Sequence, residues 1–223
     1  MKKKIGLITL LILGLVLTSI AALPLADDDY DPSPPDETQK LIFIHHSCGE
    51  NWLSEENGAL GQALGENNYF VSDTNYGWGP NNIGDATDIP DWLRWFRSDE
   101  TPVVTEALYN EFSNDWYGWE YYQRPMADPG GENDIILFKS CYPNSELWGS
   151  PDDAAGDYAD WTVAGAKYVY NDILHYFNQH PEKLFVVITA PPNLNRETAE
   201  NARAFNDWLV NDWLMQYGGT NVA

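Results

Sequence analysis

Three short apolar runs, each followed at once by polar residues, constrain the fold of this chain most strongly. They lie at residues 41–44, 134–140 and 184–189. Continuous apolar runs of this length are typical of strands that are buried on both faces of a parallel sheet. Helical patterns separate and follow them, and this alternation predicts an α/β protein.

The rest of the pattern predicts one more strand and several helices. We expect the strand at residues 69–71 and helices over 51–66, 91–112 with a break near Pro102, 157–177 and 198–217. Residues 72–91 are rich in Gly, Asn and Pro, and such a long loop inside a domain is usually functional. Residues 220–223 have the character of a new strand, so we expect the sequence to be a fragment that stops within an α/β unit.

The first forty residues differ in character from the rest. Residues 1–4 carry three lysines and residues 5–20 form an apolar run. Ser19-Ile20-Ala21, at the end of this run, offers small residues at the cleavage positions. This is the pattern of a secretory signal peptide over residues 1–22, which would act as a membrane anchor if it were retained. Residues 23–40 are acidic and rich in Pro, which predicts a linker, and the folded domain is expected over 41–223.

The charge of the chain excludes some partners. Its formal net charge is −22, and removal of the signal peptide would make it more negative. Such a surface repels phosphate groups, so we expect neither nucleic acid nor anionic membranes as partners. The charge otherwise indicates solubility or a salty habitat.

The two cysteines follow two of the predicted strands. Cys48 and Cys141 each lie just beyond a strand, and export would allow a disulfide between them. Two unpaired thiols are the alternative. No metal site is predicted, because His45 and His46 point to opposite faces of an extended strand and no Cys-x-x-Cys spacing exists.

Ser47 and Asn144 are the candidate catalytic residues. Each follows an apolar run, and ligands of open α/β sheets bind outside the carboxyl ends of the strands. A serine hydroxyl could act there as a nucleophile, and an amide side chain could stabilise the resulting oxyanion. The alternative is that both residues cap turns, as Ser and Asn often do.

With these residues in place, the chain resembles the SGNH (GDSL-like) hydrolase superfamily over residues 41–223. His45-His46-Ser47 stands where that family has Gly-Asp-Ser after the first strand. Asn82-Ile83-Gly84-Asp85 is similar to the second block, in which a Gly follows the second strand. Asn144 matches the Asn of the third block.

This resemblance implies a three-layer α/β/α sandwich with a mainly parallel, flavodoxin-like sheet whose last strand and helix are missing. It implies an exported serine esterase with an acyl-Ser47 intermediate. The backbone N–H groups of Ser47 and Gly84 and the side chain of Asn144 would hold the oxyanion, with Gly77 and Gly79 as competitors for Gly84. No cofactor or metal is implied. The alternatives are a non-catalytic carbohydrate-binding module and a sugar acyltransferase.

The catalytic base has no match in this sequence. The family supplies it from Asp-x-x-His near the C-terminus, and we expect that block beyond Ala223. Among the four histidines, His175 and His180 are interpreted as ordinary surface or helix-end residues. For His46 we favour a buried, hydrogen-bonded role that supports the strand end over an unusual base, because adjacent residues rarely align for proton transfer.

Aromatic residues are dense between Tyr76 and Tyr122. Their flat faces suit sugar rings, although most of them are expected to pack in the core. Trp78, in the glycine-rich loop, is predicted to be the exposed platform. The expected substrate is therefore a small-molecule or polysaccharide ester. The aromatic residues of this segment are Trp78, Trp92, Trp95, Phe96, Tyr109, Phe112, Trp116, Tyr117, Trp119 and Tyr121.

Overall fold

A computed structural model describes residues 33–110, 124–141, 144, 146–190 and 194–223 of the protein. The strands and helices of these residues all lie in one compact unit, Pro34–Ala223. In chain order they are β1 (Gln39–Ile44), α1 (Cys48–Leu53), α2 (Leu60–Glu66), β2 (Tyr69–Thr74), two 3-10 turns (Pro80–Asp85 and Ile89–Asp91), α3 (Trp92–Phe96), α4 (Thr101–Tyr109), β3 (Ile135–Lys139), α5 (Val163–Phe177), β4 (Leu184–Ile188) and α6 (Ala199–Trp208), which continues through a π turn (Leu209–Trp213) into α7 (Leu214–Gln216).

The strands form one parallel sheet in the order β2-β1-β3-β4. Residues 221–223 run beside β4, since Phe185 donates a hydrogen bond to Asn221 and accepts one from Ala223, each at 2.9 Å. The predicted α/β fold is therefore confirmed, and the strand order is that of flavodoxin-like sheets. The four predicted strands are all present.

Both faces of the sheet are buried, which explains why its strands are continuous apolar runs. One face carries Ile42, Ile44 and Phe138 against helices α3–α6, in the larger apolar cluster. The other face carries Phe43 and Leu137, which pack with Leu53 of α1 and other residues in a smaller cluster. The molecule thus has three layers, with α1 and α2 on one side.

The helix predicted over 51–66 is instead two short helices. The chain turns between them, where Gly58 donates a hydrogen bond to Asn51 at 2.9 Å and Ala59 has a φ of 51°. A Cβ at Gly58 would lie 2.6 Å from the carbonyl oxygen of Trp52, so only glycine fits this close turn. The predicted helix is therefore divided in two at Gly58.

Two other helix boundaries follow from local capping. Pro102 lies in the first turn of α4 and begins the helix instead of breaking it, because proline lacks only an N–H that has no partner there. Helix α5 begins at Val163, six residues later than predicted from the start of 157–177. Thr162 sets this start, since its side chain accepts a hydrogen bond from the Gly165 N–H at 2.9 Å.

The amino-terminal boundary also differs slightly from the prediction. Strand β1 begins at Gln39, so the last two residues of the predicted linker belong to the sheet. The proposed signal peptide lies outside the described residues. Within the described ranges, no helix combines the length and apolar character needed to cross a membrane.

Phe177 is the core residue whose truncation should be most informative. Its buried ring stacks on Phe185 of β4 with the centroids 3.9 Å apart. We expect Phe177→Ala to lower the free energy of unfolding by about 3–5 kcal/mol, from lost apolar burial and the cavity left behind. Urea denaturation measures this. The exposed Val103→Ala should change it by less than about 0.5 kcal/mol, and equal effects of the two changes would contradict this account of the core.

Candidate active site

Polar residues of several segments meet at the carboxyl edge of the sheet. His45 and His46 follow β1, Asp73 and Thr74 end β2, and Lys139 ends β3. This edge is where α/β sheets bind ligands, because parallel strands place all their carboxyl ends together. The carboxyl edge is therefore the candidate site.

Ser47 lies in a sharp turn between β1 and α1. Its backbone has φ 42° and ψ −94°, which non-glycine residues adopt rarely because the Cβ is crowded. The residue is exposed, and its hydroxyl makes no capping hydrogen bond to α1. A strained strand-to-helix turn of this kind is also the backbone that presents the nucleophile in many serine hydrolases.

The tight packing of Gly49 contributes to this turn. A Cβ at Gly49 would lie 2.6 Å from Nδ1 of His45, so α1 can approach the strand end only because this residue is glycine. The Gly49 N–H also donates a hydrogen bond to the carbonyl of His46 at 2.9 Å. The backbone on both sides of Ser47 is therefore fixed.

His45 forms a buried pair with Asp73. Its Nε2 lies 2.8 Å from Oδ2 of Asp73, and both side chains are almost completely shielded from solvent. Its Nδ1 is buried and has no hydrogen-bond partner among the described residues, since it faces Gly49. The pair joins the ends of β1 and β2, and Gly49 separates Nδ1 from solvent.

His46 lies on the opposite face and has both ring nitrogens engaged. Nε2 is hydrogen-bonded to the carbonyl oxygen of Gly84, so this nitrogen carries the proton. Nδ1 is 2.8 Å from the Thr87 hydroxyl, which donates to it. The ring of Tyr76 stacks on the imidazole with the centroids 3.9 Å apart. His46 is thus a buried, hydrogen-bonded histidine that supports the strand end, which is the role favoured from the sequence.

Two of the three predicted oxyanion donors have other partners in this structure. The Asn144 amide nitrogen donates to Asp88 Oδ1 at 2.7 Å and to the carbonyl of Cys141 at 3.0 Å. Its oxygen accepts the Ile89 N–H at 2.6 Å. The Gly84 N–H donates to the Trp78 carbonyl at 2.8 Å. Asn144 and Gly84 thus hold the loop after β2 against the sheet.

The two competing glycines belong to the same loop. Gly77 and Gly79 both have a φ of 74°, a conformation that favours glycine. The Gly77 N–H donates to the carboxylate of Asp85 at 2.8 Å. The Gly79 carbonyl accepts a hydrogen bond from Asn82 at 3.2 Å. These contacts shape the loop.

Lys139 brings a buried amine to the site. Its side chain is 3 % exposed, and its Nζ donates a hydrogen bond to the carbonyl of Ser140 at 3.1 Å. Burial lowers the pKa of Lys139, while the charges of Cys141 and Cys48 act in the opposite direction. Sequence reasoning missed Lys139, although a lysine at the end of a buried strand is itself an unusual feature.

Cys48 and Cys141 are both thiols in the structure, so the predicted disulfide is not formed. Cys48 is exposed at the first residue of α1, whereas Cys141 is half-buried. The Cys141 backbone donates to the carbonyl of Thr87 and accepts from the N–H of Asn144, each at 3.0 Å. These bonds hold Cys141 within the loop network.

The prediction that Trp78 is an exposed platform is wrong. It is only 3 % exposed and stacks on Trp95 with the centroids 5.9 Å apart, because the loop folds back onto α3. Trp92, Phe96 and Tyr109 are also in the core, as expected. The remaining predicted aromatics, Phe112, Trp116, Tyr117, Trp119 and Tyr121, lie outside the described residues.

Other aromatic side chains are exposed instead. Trp148, Tyr158 and Trp161 are 56 %, 63 % and 39 % exposed. The backbones of Trp148 and Trp161 are joined, since the N–H of Trp148 donates to the Trp161 carbonyl at 2.9 Å. We call Trp148 and Trp161 the aromatic patch. The sequence analysis missed it because nothing local distinguishes an exposed tryptophan from a buried one.

The other two histidines do not join the site. His175 is in the last turn of α5 and is exposed. His180 contacts Glu182 at 3.1 Å and stacks on Tyr176. In the described part of the chain, no group of three or more His, Cys, Asp or Glu residues is arranged to hold a metal ion.

Comparisons with protein families, with curated proteins and with solved structures give no match to this chain. The resemblance to SGNH hydrolases therefore rests on the residues of its three sequence blocks. What the site offers chemically is an exposed hydroxyl on a strained turn after β1 and a buried amine at the end of β3.

The environment of His46 predicts a dependence of stability on pH. Burial is the main cause that lowers its pKa, and the hydrogen bond to Gly84 acts in the opposite direction. The unfolded chain then binds this proton more readily than the folded protein. We expect stability to be retained above the ordinary pKa of about 6.5 and to be lost as the pH falls below it.

Urea unfolding of the protein and of His46→Gln, at about pH 7.5 and about pH 5.5, measures this contribution. The variant should lose less stability than the natural protein between the two pH values, because glutamine does not titrate. An equal loss in both proteins would contradict the prediction.

Proposed function

We propose that this chain is an exported serine esterase of the SGNH type, and that Ser47 is its nucleophile. The observation that carries the proposal is the backbone of Ser47, which is strained, exposed and placed at the carboxyl end of β1. Strain at a non-glycine residue persists only where the surrounding structure enforces it, and it is concentrated at functional sites. The contacts of Gly49 with His45 supply that enforcement.

The proposed reaction is acyl transfer through the Ser47 hydroxyl. Its oxygen attacks the ester carbonyl carbon as a base removes its proton, and the carbonyl becomes a tetrahedral oxyanion. Collapse expels the alcohol and leaves an acyl-serine, which water then hydrolyses. A sugar hydroxyl in place of water would make the same enzyme an acyltransferase. In this scheme Gly84 or Asn144 would stabilise the oxyanion only after exchanging an internal partner.

Removal of the Ser47 hydroxyl provides the test. We expect Ser47→Ala to abolish hydrolysis of a short-chain model ester and covalent labelling by a fluorophosphonate, because both need the serine oxygen. Hydrolysis is followed by release of the alcohol, and labelling by mass spectrometry of the peptide that contains residue 47.

A matched control lies at the other end of the same helix. Ser54 follows α1 and accepts a side-chain hydrogen bond from Asn57 at 3.2 Å. Ser54→Ala should leave hydrolysis and labelling unchanged. Activity that survives in Ser47→Ala would show that another group is the nucleophile.

A second candidate function is carbohydrate binding without catalysis. It is favoured by the internal hydrogen bonds of Asn144 and Gly84, which engage two of the predicted oxyanion donors. The aromatic patch supplies the binding surface, since exposed aromatic faces suit the apolar faces of sugar rings. The same patch would serve an esterase that acts on an acylated polysaccharide.

The aromatic patch yields its own prediction. We expect Trp148→Ala and Trp161→Ala each to weaken binding to a polysaccharide about threefold to tenfold, the range of a single aromatic contact. Affinity electrophoresis in gels that contain candidate polysaccharides measures the change. Met215→Ala, which removes an exposed side chain from α7, should bind like the natural protein. Equal mobility of all four proteins in every binding gel would contradict a role for the patch.

A further inference from the structure

The position of Lys139 relates it directly to the Ser47 turn. It is the last residue of β3, and the register of the sheet pairs Phe138 with Ile44. Lys139 therefore stands beside His45, two residues before Ser47. Its amine also lies 5.7 Å from the ring centroid of Trp52, on the helix that Ser47 precedes. The Lys139 amine thus lies between the end of β3 and helix α1.

The partners of Lys139 differ from those of Lys40 and Lys183, which are also buried. Lys40 and Lys183 form ion pairs with acidic side chains, at 3.0 Å to Asp128 and at 2.9 Å to Glu132. Within the described residues, no carboxylate forms an ion pair with Lys139. A buried ammonium without a carboxylate is costly, so this environment favours the neutral amine.

The charged and titratable groups around Lys139 come from three segments. Cys48 approaches from α1, Cys141 follows β3, and His46 follows β1. The proton-bearing His46 is neutral in its hydrogen-bonded state. None of these three groups is a carboxylate, and burial outweighs the opposite effect of the two cysteines on the pKa of Lys139. The lowered pKa of Lys139 agrees with this geometry.

We propose that Lys139 is the general base that activates Ser47. This inference rests on the proposed esterase function and gives that function a base among the described residues, in place of a histidine expected beyond Ala223. The neutral amine takes the proton from the Ser47 hydroxyl while the serine oxygen bonds to the ester carbon. The resulting ammonium returns the proton to the leaving alcohol, and acyl-Ser47 remains.

The second half of the reaction uses the same amine. Neutral Lys139 takes a proton from water as the water oxygen bonds to the acyl carbon. The tetrahedral intermediate then expels Ser47, and the ammonium returns the proton to the serine oxygen. The acid is released and the amine is neutral again, so no other reactant is needed. A general base of this kind contributes about 10²–10⁴ in rate.

The test is the rate of Ser47 labelling by a fluorophosphonate as a function of pH. In the natural protein the rate should rise with pH and level off above the pKa of Lys139, because only the neutral amine accepts a proton. Lys139→Met should lower the rate at least about a hundredfold. Lys139→Arg should lower it equally, since a guanidinium stays protonated and cannot act as a base.

Lys167 is the matched control. It is also a buried lysine that donates to a backbone carbonyl, that of Asp153 at 2.7 Å, and lies over a tryptophan ring, that of Trp208 at 5.6 Å. It belongs to α5 and not to the strand ends. Lys167→Met should therefore label at the natural rate. A normal unfolding transition for each variant confirms that the fold is intact.

The outcomes separate this inference from the proposed function. Labelling of Ser47 at the natural rate in Lys139→Met would overturn the role of Lys139 and leave the nucleophile in place. Labelling of Lys139→Arg at the rate of the natural protein would show that only the positive charge of residue 139 matters, and would also overturn its role as the general base. A labelling rate that does not change with pH in the natural protein would also overturn the role of Lys139 as the base, and this result does not depend on whether the variants fold. Labelling and hydrolysis that persist in Ser47→Ala would instead refute Ser47 as the nucleophile of the proposed esterase.

Discussion

The pairing of β1 between β2 and β3 is the constraint on which the rest of the structure depends. Because all three strands are parallel, their carboxyl ends meet at one edge and bring their polar tails together. Because β1 is a central strand, the residues that follow it, His45, His46 and Ser47, lie at the centre of that edge. The buried apolar residues on both faces of β1 fix its register. The direction of the chain through residues 45–47, which follow the strand, is therefore constrained as well.

A layer of buried polar contacts continues this order beyond the sheet. The His45–Asp73 pair joins β1 to β2, and the hydrogen bonds of His46 attach the loop after β2 at Gly84 and Thr87. Asn144 attaches the same loop to the end of β3. Each partner satisfies a group that would otherwise be buried without a hydrogen bond, which explains how so irregular a loop is held against the sheet.

This order has a chemical consequence at Ser47. His46 and Asn144, which have the side chains of catalytic partners, hold the loop after β2, and His45 pairs with Asp73. The proposed reaction therefore uses the Ser47 hydroxyl and the Lys139 amine. An active site built from them would depend on burial to keep the amine neutral, since no carboxylate in the described residues holds its proton. In the proposed function, the exposed aromatic patch would add a surface for sugar rings.

The sequence by itself determined the α/β class, the four strands and the place of Ser47. Apolar runs and strand-ending residues carry that information locally, within a few residues of each position. Helix boundaries were predicted less closely, because capping by Thr162 and the turn at Gly58 depend on single contacts. Only the tertiary structure decided the rest. The burial of Trp78 against Trp95, the hydrogen bonds of Asn144 and the approach of the Lys139 amine to Trp52 all join segments that are separated in the chain, and such contacts leave no periodic signal in the sequence.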